Sequence, residues 1–211
     1  MKEALLITGG REISKDLLEK YKDRYTIAAD SGAKALKKNN HKCNLVFGDL
    51  DSIDEESLEY IKSNNIKIKK FPPMKNLTDT EICIEFLMEN NYKDIVILGG
   101  LGTRLDHELA NILLLKKLYK NNYIARIEDS HNEVLYVEEG VYTVEKDDKK
   151  YISIINAGDE LSFSTKGLKY EVDNLEINSE NPGRGVSNEI LDEKAKITIN
   201  KGSGFIIKSI D

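Results

Sequence analysis

The feature that most limits what this chain can fold into is a change of hydrophobic period near residue 127. Up to that point, short β-branched runs alternate with amphipathic stretches of helical length. Beyond it, short alternating runs succeed one another with glycine-bearing turns between many of them. The first pattern is that of a parallel sheet with crossover helices, the second that of antiparallel strands. The expected fold class is therefore α/β: a parallel-sheet domain over residues 1–127, then an antiparallel β-sandwich or barrel over residues 128–211. No stretch rich in Pro, Gly or Ser joins the two, so the boundary reads as a switch of fold and not as a flexible tether.

In the first part, strands are expected at residues 4–8, 26–29, 45–47, 66–69, 95–98 and 123–127. Thr78 with Glu81 three residues on forms a capping-box pattern that opens a helix, with Ile82 and Phe86, then Cys83 and Leu87, as its apolar stripe. A second long helix is expected over residues 105–120, with Leu105, Leu109, Ile112 and Leu115 or Lys116 on its buried face. In the second part the runs 134–137, 141–144, 151–155, 160–164, 168–172, 195–200 and 205–210 read as strands. Glu139 and Gly140, Ala157 to Asp159, Lys166 and Gly167, Pro182 and Gly183, and Gly202 to Gly204 read as turns.

The segments at the ends of the early strands are rich in chemistry. Gly9 and Gly10 come after the first, Asp30, Ser31 and Gly32 after the second, and Gly48, Asp49, Leu50, Asp51 and Ser52 after the third. Asn76, Thr78 and Asp79 come after the fourth, Gly99 to His107 after the fifth, and Asp129 to Asn132 after the sixth. In an open α/β sheet, ligands bind beyond the carboxyl ends of the strands, so these segments are expected on one rim. Glycine-exposed amides and helix N-termini suit phosphates, and paired carboxylates such as Asp49 and Asp51 then call for a cation between them and the anion. Each piece also has a plain structural reading. Asp49 and Ser52 suit a strand-to-helix turn, Gly99 to Gly102 a tight turn, Asp106 a helix cap, and His107 with Asn111 a hydrogen-bonded pair one helical turn apart. The stretch Arg184 to Ile190 reads, from its local sequence alone, as a loop running into an edge strand.

Composition excludes several classes. A formal net charge of −6, with no basic stripe interleaved with aromatics, argues against a general nucleic-acid binder. No apolar run approaches the ~18 residues of a membrane helix. The first ten residues read as a strand entering a glycine turn and not as a signal peptide, which favours the cytoplasm. Cys43 and Cys83 lack the spacing of a zinc site or a disulfide framework, so they read as reduced and structural.

Taken in order, Gly48 to Ser52, Lys75 to Asp79 opening a helix, Gly99 to His107 with Asn111, and Gly185 to Asn188 resemble the motifs of the thiamine pyrophosphokinase family. The resemblance runs over essentially the whole chain. It implies a Rossmann-like nucleotide domain over residues 1–127 and a β-rich thiamine-binding and dimerisation domain over residues 128–211. It further implies a homodimer whose active site lies between the nucleotide domain of one subunit and the β domain of the other. The implied reaction moves the diphosphate group of ATP to the hydroxyethyl group of thiamine, giving thiamine diphosphate and AMP. By match, Asp49, Asp51 and Asp79 would hold Mg²⁺, and Asp30, Gly100, Thr103, Arg104, Asp106, His107 and Asn111 would lie beside ATP. Asp51, Asp79, Arg104 and Asp106 would carry the catalysis, with Asp51 or Asp79 taking the alcohol proton, and Ser187 and Asn188 would contact thiamine from the partner subunit.

The sequence departs from the family pattern in three places: Leu50 where an aromatic is common, Asn76 where an Asp is frequent, and no Trp anywhere to stack on thiamine. Two other readings compete. A metal-dependent phosphohydrolase would use the same aspartates with the run Leu105 to Glu108, and a non-catalytic nucleotide or thiamine sensor would use the same fold.

Overall fold

The structure, a computed structural model, describes residues 1–29, 32–48, 53–70, 77–102 and 104–211. The chain forms two compact units, Met1–Ser130 and His131–Asp211. No helix among the described residues is long and apolar enough to cross a membrane.

The first unit alternates strand and helix: β1 (Lys2–Ile7), α1 (Lys15–Lys20), β2 (Tyr25–Ala29), α2 (Ala33–Asn39), β3 (Leu45–Phe47), α3 (Glu55–Ser63), β4 (Lys67–Lys69), α4 (Asp79–Glu89), β5 (Tyr92–Leu98), α5 (Leu105–Lys120) and β6 (Ile124–Glu128). Among the described residues the pairings within this unit are parallel, and the strand order is β6-β5-β1-β2-β3-β4. The last four residues of both β1 and β5 are buried, as expected of central strands covered on both faces. β4 is an exposed Lys-Ile-Lys edge, a composition that discourages further strand pairing. Helices end on asparagine: Asn40, Asn65, Asn91 and Asn122 all have φ between 49° and 61°, one or two residues past α2, α3, α4 and α5. Asparagine tolerates this left-handed turn, so each helix stops there and the chain returns to the sheet.

α5 has the predicted bounds, and of its expected face Leu115 is buried and Ile112 half-buried, but the rest of that face is turned outward. Leu105 is 70% exposed and Leu109 52%, while Asn111, Leu114, Leu115 and Leu118 point inward. Leucines occupy both sides of this helix, so periodicity alone allows more than one inward face.

The second unit is antiparallel: β7 (Asn132–Glu145), β8 (Tyr151–Lys166), β9 (Leu175–Asn178), β10 (Asn188–Glu189) and β11 (Lys194–Ser209). Its strand order is β10-β8-β11-β7, with β9 also on β8. Three predicted turns are bends inside long strands. Gly140, residues 157–159 and residues 202–204 lie within β7, β8 and β11, where the pairing of β11 with both neighbours shifts register. Such bulges bend a strand without ending it. Residues 168–172, expected as a strand, instead make a single bridge from Leu168 to Ile190, and β9 forms further on.

Across the bends the buried positions of β8 and β11 slip by one: Ile152 and Ile154 give way to Leu161, Phe163 and Thr165, and Ala195, Ile197 and Ile199 give way to Gly204, Ile206 and Lys208. Ile152, Ile154, Leu161, Phe163, Ile197, Ile199 and Ile206 share one apolar core, so both arms of each long strand face it.

Candidate functional site

The chain runs β1 to β4 outward along one side of the sheet, then crosses back to place β5 on the other side of β1. That reversal is where an open parallel sheet leaves a crevice beyond its carboxyl edge. The turns after β1 and β5 meet there. Thr8 N–H donates to Leu98 O at 2.9 Å, Gly10 N–H to Gly99 O at 2.8 Å and Arg11 N–H to Leu101 O at 2.6 Å, so the two turns stay zipped after the strands end. The glycines are required by this closeness. A Cβ on Gly10 would lie 2.2 Å from Gly99 O, and one on Gly99, whose φ is +71°, would lie 2.3 Å from Thr8 O. The amides of Gly10 and Gly102 are engaged within the protein, so at these two positions glycine serves backbone passage and not the anion capture expected from the sequence.

A cleft of ≈ 240 Å³ opens at this point, bordered by Thr8 to Gly10, Ala29, Thr78 to Thr80, Gly99 to Leu101, Arg104, His107, Glu108 and Asn111. Of the residues expected around ATP or metal, Asp79, Gly100, Arg104, His107 and Asn111 are brought together here. Asp30, Asp49, Asp51 and Thr103 lie outside the described residues. Thr8, Thr78, Thr80 and Glu108 border the cleft without having been singled out as binding residues. Thr78 is the N-cap of the α4 capping box and Thr80 lies inside that box, a signal readable in the sequence, whereas nothing local marks Thr8.

Two helix starts face the cleft. α4 opens with Thr78 as N-cap, its hydroxyl accepting from Glu81 N–H at 3.2 Å while the Glu81 carboxylate accepts from Thr78 N–H at 2.9 Å. This reciprocal pair fixes the first turn and so places Asp79 and Thr80. α5 opens on Arg104, which makes no side-chain cap bond. Arg104 instead forms a bidentate ion pair with Asp106, Nε to Oδ1 at 3.1 Å and Nη2 to Oδ2 at 2.6 Å, and Asp106 Oδ1 also accepts from His107 N–H at 3.0 Å. The Arg104 guanidinium holds the pKa of the Asp106 carboxyl down to about 2. Both groups are well exposed, so the pair adds little to stability, but it holds a fork of N–H donors at the mouth of the cleft.

Below them, buried Asn111 donates from its Nδ2 to Gly100 O at 2.8 Å and so braces the turn after β5. On the rim after β6, buried Asp129 accepts from Arg11 Nη1 at 2.9 Å and ties down the turn after β1. Among the described residues, no group of three or more His, Cys, Asp or Glu side chains is placed to hold a metal ion.

In the second unit, Ser187 and Asn188 close a tight turn. Gly185 O accepts from Ile154 N–H at 2.8 Å, and a Cβ on Gly185 would lie 2.3 Å from Ile154 O. Ser187 has φ +61° and its N–H donates to Ser153 Oγ at 3.0 Å. The Asn188 carboxamide bridges the backbone of Tyr170, accepting from its N–H at 3.0 Å and donating to its O at 2.7 Å. Tyr170 is 64% exposed.

Known proteins share this architecture. The family described as thiamin pyrophosphokinase, catalytic domain, matches residues 16–127, and the one described as thiamin pyrophosphokinase, vitamin B1 binding domain, matches residues 141–204. Thiamine pyrophosphokinase of Bacillus subtilis (strain 168) is 30% identical over 215 residues, covering 100% of each chain. The crystal structure of thiamine pyrophosphokinase from Bacillus subtilis matches with a TM-score of 0.90 at 30% identity, covering 100% of both chains. That of thiamin pyrophosphokinase from Geobacillus thermodenitrificans matches with a TM-score of 0.85 at 26% identity, covering 100% of this chain and 98% of the other.

Proposed function

This chain belongs to the thiamine pyrophosphokinase family, and from that premise we infer that it transfers the diphosphate group of ATP to the hydroxyethyl group of thiamine, giving thiamine diphosphate and AMP. The observation that carries the reading is that the two family matches fall in order on the two halves of the chain. We read residues 1–127 as a Rossmann-like ATP domain and residues 128–211 as a β-sandwich that binds thiamine and dimerises.

In this reading the cleft at the sheet reversal takes the nucleotide, with Asp30, Gly100, Thr103, Arg104, Asp106, His107 and Asn111 around it. Asp49, Asp51 and Asp79 hold Mg²⁺: all three offer hard carboxylate oxygens, the donors this ion takes, and Asp79 borders the cleft. Bound there, the ion would supply neutralisation of polyphosphate charge. The protein's own part is positioning and electrostatics. Arg104 carries N–H donors in a planar fork that fits a phosphate as well as the carboxylate it now grips, so it can turn from Asp106 to the oxygens that gain charge as the bond to AMP breaks. Asp51 or Asp79 takes the proton of the thiamine alcohol as its oxygen attacks the β-phosphorus. Ser187 and Asn188 contact thiamine from the partner subunit; one N–H of the Asn188 amide holds Tyr170 O, and the second is the one we assign to the ligand.

Purified protein given Mg²⁺, ATP and thiamine should produce AMP and thiamine diphosphate in equal amounts. Absence of both products overturns the reading, and phosphate release that needs no thiamine would favour a hydrolase. Asp51→Asn should abolish turnover with the fold intact; near-normal activity would remove Asp51 from the site. If the site is shared between subunits, mixing Asp51→Asn protein with Ser187→Tyr protein restores part of the activity that each lacks alone.

A further inference from the structure

α5 starts without a cap from its own N-cap residue, and the turn before it has little conformational preference of its own. Gly102 sits at φ +110°, where a Cβ would lie 2.5 Å from the Arg11 Cβ, so the position is confined to the one residue that is free to adopt many backbone angles. Gly10 and Arg11 hold the carbonyls of Gly99 and Leu101, which leaves Gly102 to be fixed from another side. Glu108, one turn inside α5, does this: its Oε1 accepts from Gly102 N–H at 2.7 Å. Asn111, three residues on along the helix, holds Gly100 O at 2.8 Å. Two side chains of one helix thus grip alternate residues of the same turn, and both border the cleft.

Charge makes the arrangement informative. A carboxylate beside a cleft that takes a polyphosphate repels its ligand unless its charge is engaged elsewhere. A short bond donated by a backbone amide to the ionised acceptor engages it.

We propose that Glu108 is a positioning residue for diphosphate transfer: through the Gly102 amide it fixes the end of the turn after β5 and with it the start of α5, where Arg104 and His107 stand. It does this without touching the substrate. The proposal rests on the nucleotide reading of the cleft given above.

Three variants separate the bond from the charge. Glu108→Gln keeps an oxygen that can accept from Gly102 N–H but removes the charge; Glu108→Ala removes both; Glu108→Asp keeps the charge and shortens the reach. Ala and Asp should each raise the KM for ATP by about tenfold, the equivalent of one charge-assisted hydrogen bond, and leave the KM for thiamine within about twofold. Gln should stay within about threefold of the parent on both. The dissociation constant of a non-hydrolysable ATP analogue, measured by calorimetry without thiamine, should follow the same order. Thermal unfolding confirms that each variant is folded at the assay temperature, and Asp stands in if Ala is not. An unchanged KM for ATP in Ala and Asp overturns the proposal, as does a Gln variant as impaired as Ala. A KM that falls in Ala and Gln also overturns it, since the carboxylate would then merely occupy a phosphate's place. If the parent forms no AMP with ATP and thiamine, the proposed function fails, while the analogue titrations still decide the role of Glu108.

Discussion

His41 shows how one buried nitrogen can make stability depend on pH. It comes after Asn40, which turns left-handed at φ 49°, and its N–H closes α2 by donating to Leu36 O at 3.0 Å. The imidazole is carried into the interior by that turn, and its Nε2 has no hydrogen-bond partner among the described residues. Burial lowers its pKa below the ordinary 6.5, with the Glu19 charge opposing the shift. On acidification the unfolded chain takes the proton first, so this contribution to stability is whole above pH 6.5 and is lost as pH falls through the lower folded value. In urea titrations at about pH 8 and about pH 5.5, on either side of the ordinary imidazole value, the parent should lose more stability between the two than His41→Leu does. Equal losses would show that the imidazole is solvated. Asp106 offers a second check at this scale: in Arg104→Gln its carboxyl pKa, measured by NMR, should rise from about 2 toward the ordinary 3.8, and an unmoved value would mean that the guanidinium is not its main partner.

Among the elements, α4 and α5 divide what a sequence reveals from what it conceals. The start of α4 is readable because a capping box is local: Thr78 and Glu81 satisfy each other's backbone amides whatever the rest of the chain does. Thr78→Ala should therefore lower the denaturation midpoint by about 1 kcal/mol of stability at unchanged m-value, and a smaller m-value would point to a wider disturbance. The bounds of α5 are readable too, but its inward face is not. Apolar residues ring it, and the face is chosen by Asn111, a polar residue drawn inside by the Gly100 carbonyl. No hydrophobic pattern anticipates that choice. Leu118→Ala, at a fully buried position, should cost about 2–5 kcal/mol. Leu105→Gln, at a position 70% exposed, should cost under about 0.5 kcal/mol. A reversal of that order in denaturation curves would restore the predicted face. In the second unit, glycine misleads for a related reason, since a bend within a strand and a turn between strands ask for the same backbone freedom.

Across the whole molecule, the change of period near residue 127 announces the order of parallel and antiparallel strands, because each period arises from backbone geometry. The lining of the cleft is readable where it lies just past a strand, as with Gly100, Arg104 and His107. It is hidden where a side chain reaches back to a backbone group, as with Glu108. Ion pairing is hidden as well. Lys208 is buried near the end of β11, where burial works against its charge but Asp147 and Glu133, the latter at 3.0 Å, outweigh it and raise its pKa. Its stabilising effect is whole below the ordinary 10.5 and fades as pH rises through the higher folded value. Lys208→Met should cost about 3–5 kcal/mol at neutral pH by removing the cation that two carboxylates share, and thermal unfolding would measure it. The same strand has a further consequence. β11 lies between β7 and β8 and bonds to both, yet it is the last of the three to be made. A ribosome therefore delivers two long ribbons before the one that joins them, and the edges that face β11 stay open until residues 194–209 emerge. Nascent chains exposed only as far as Glu193 should remain protease-sensitive over residues 131–193, while those exposed past Ser209 become resistant together: for this unit, the timing of folding is set by the emergence of β11.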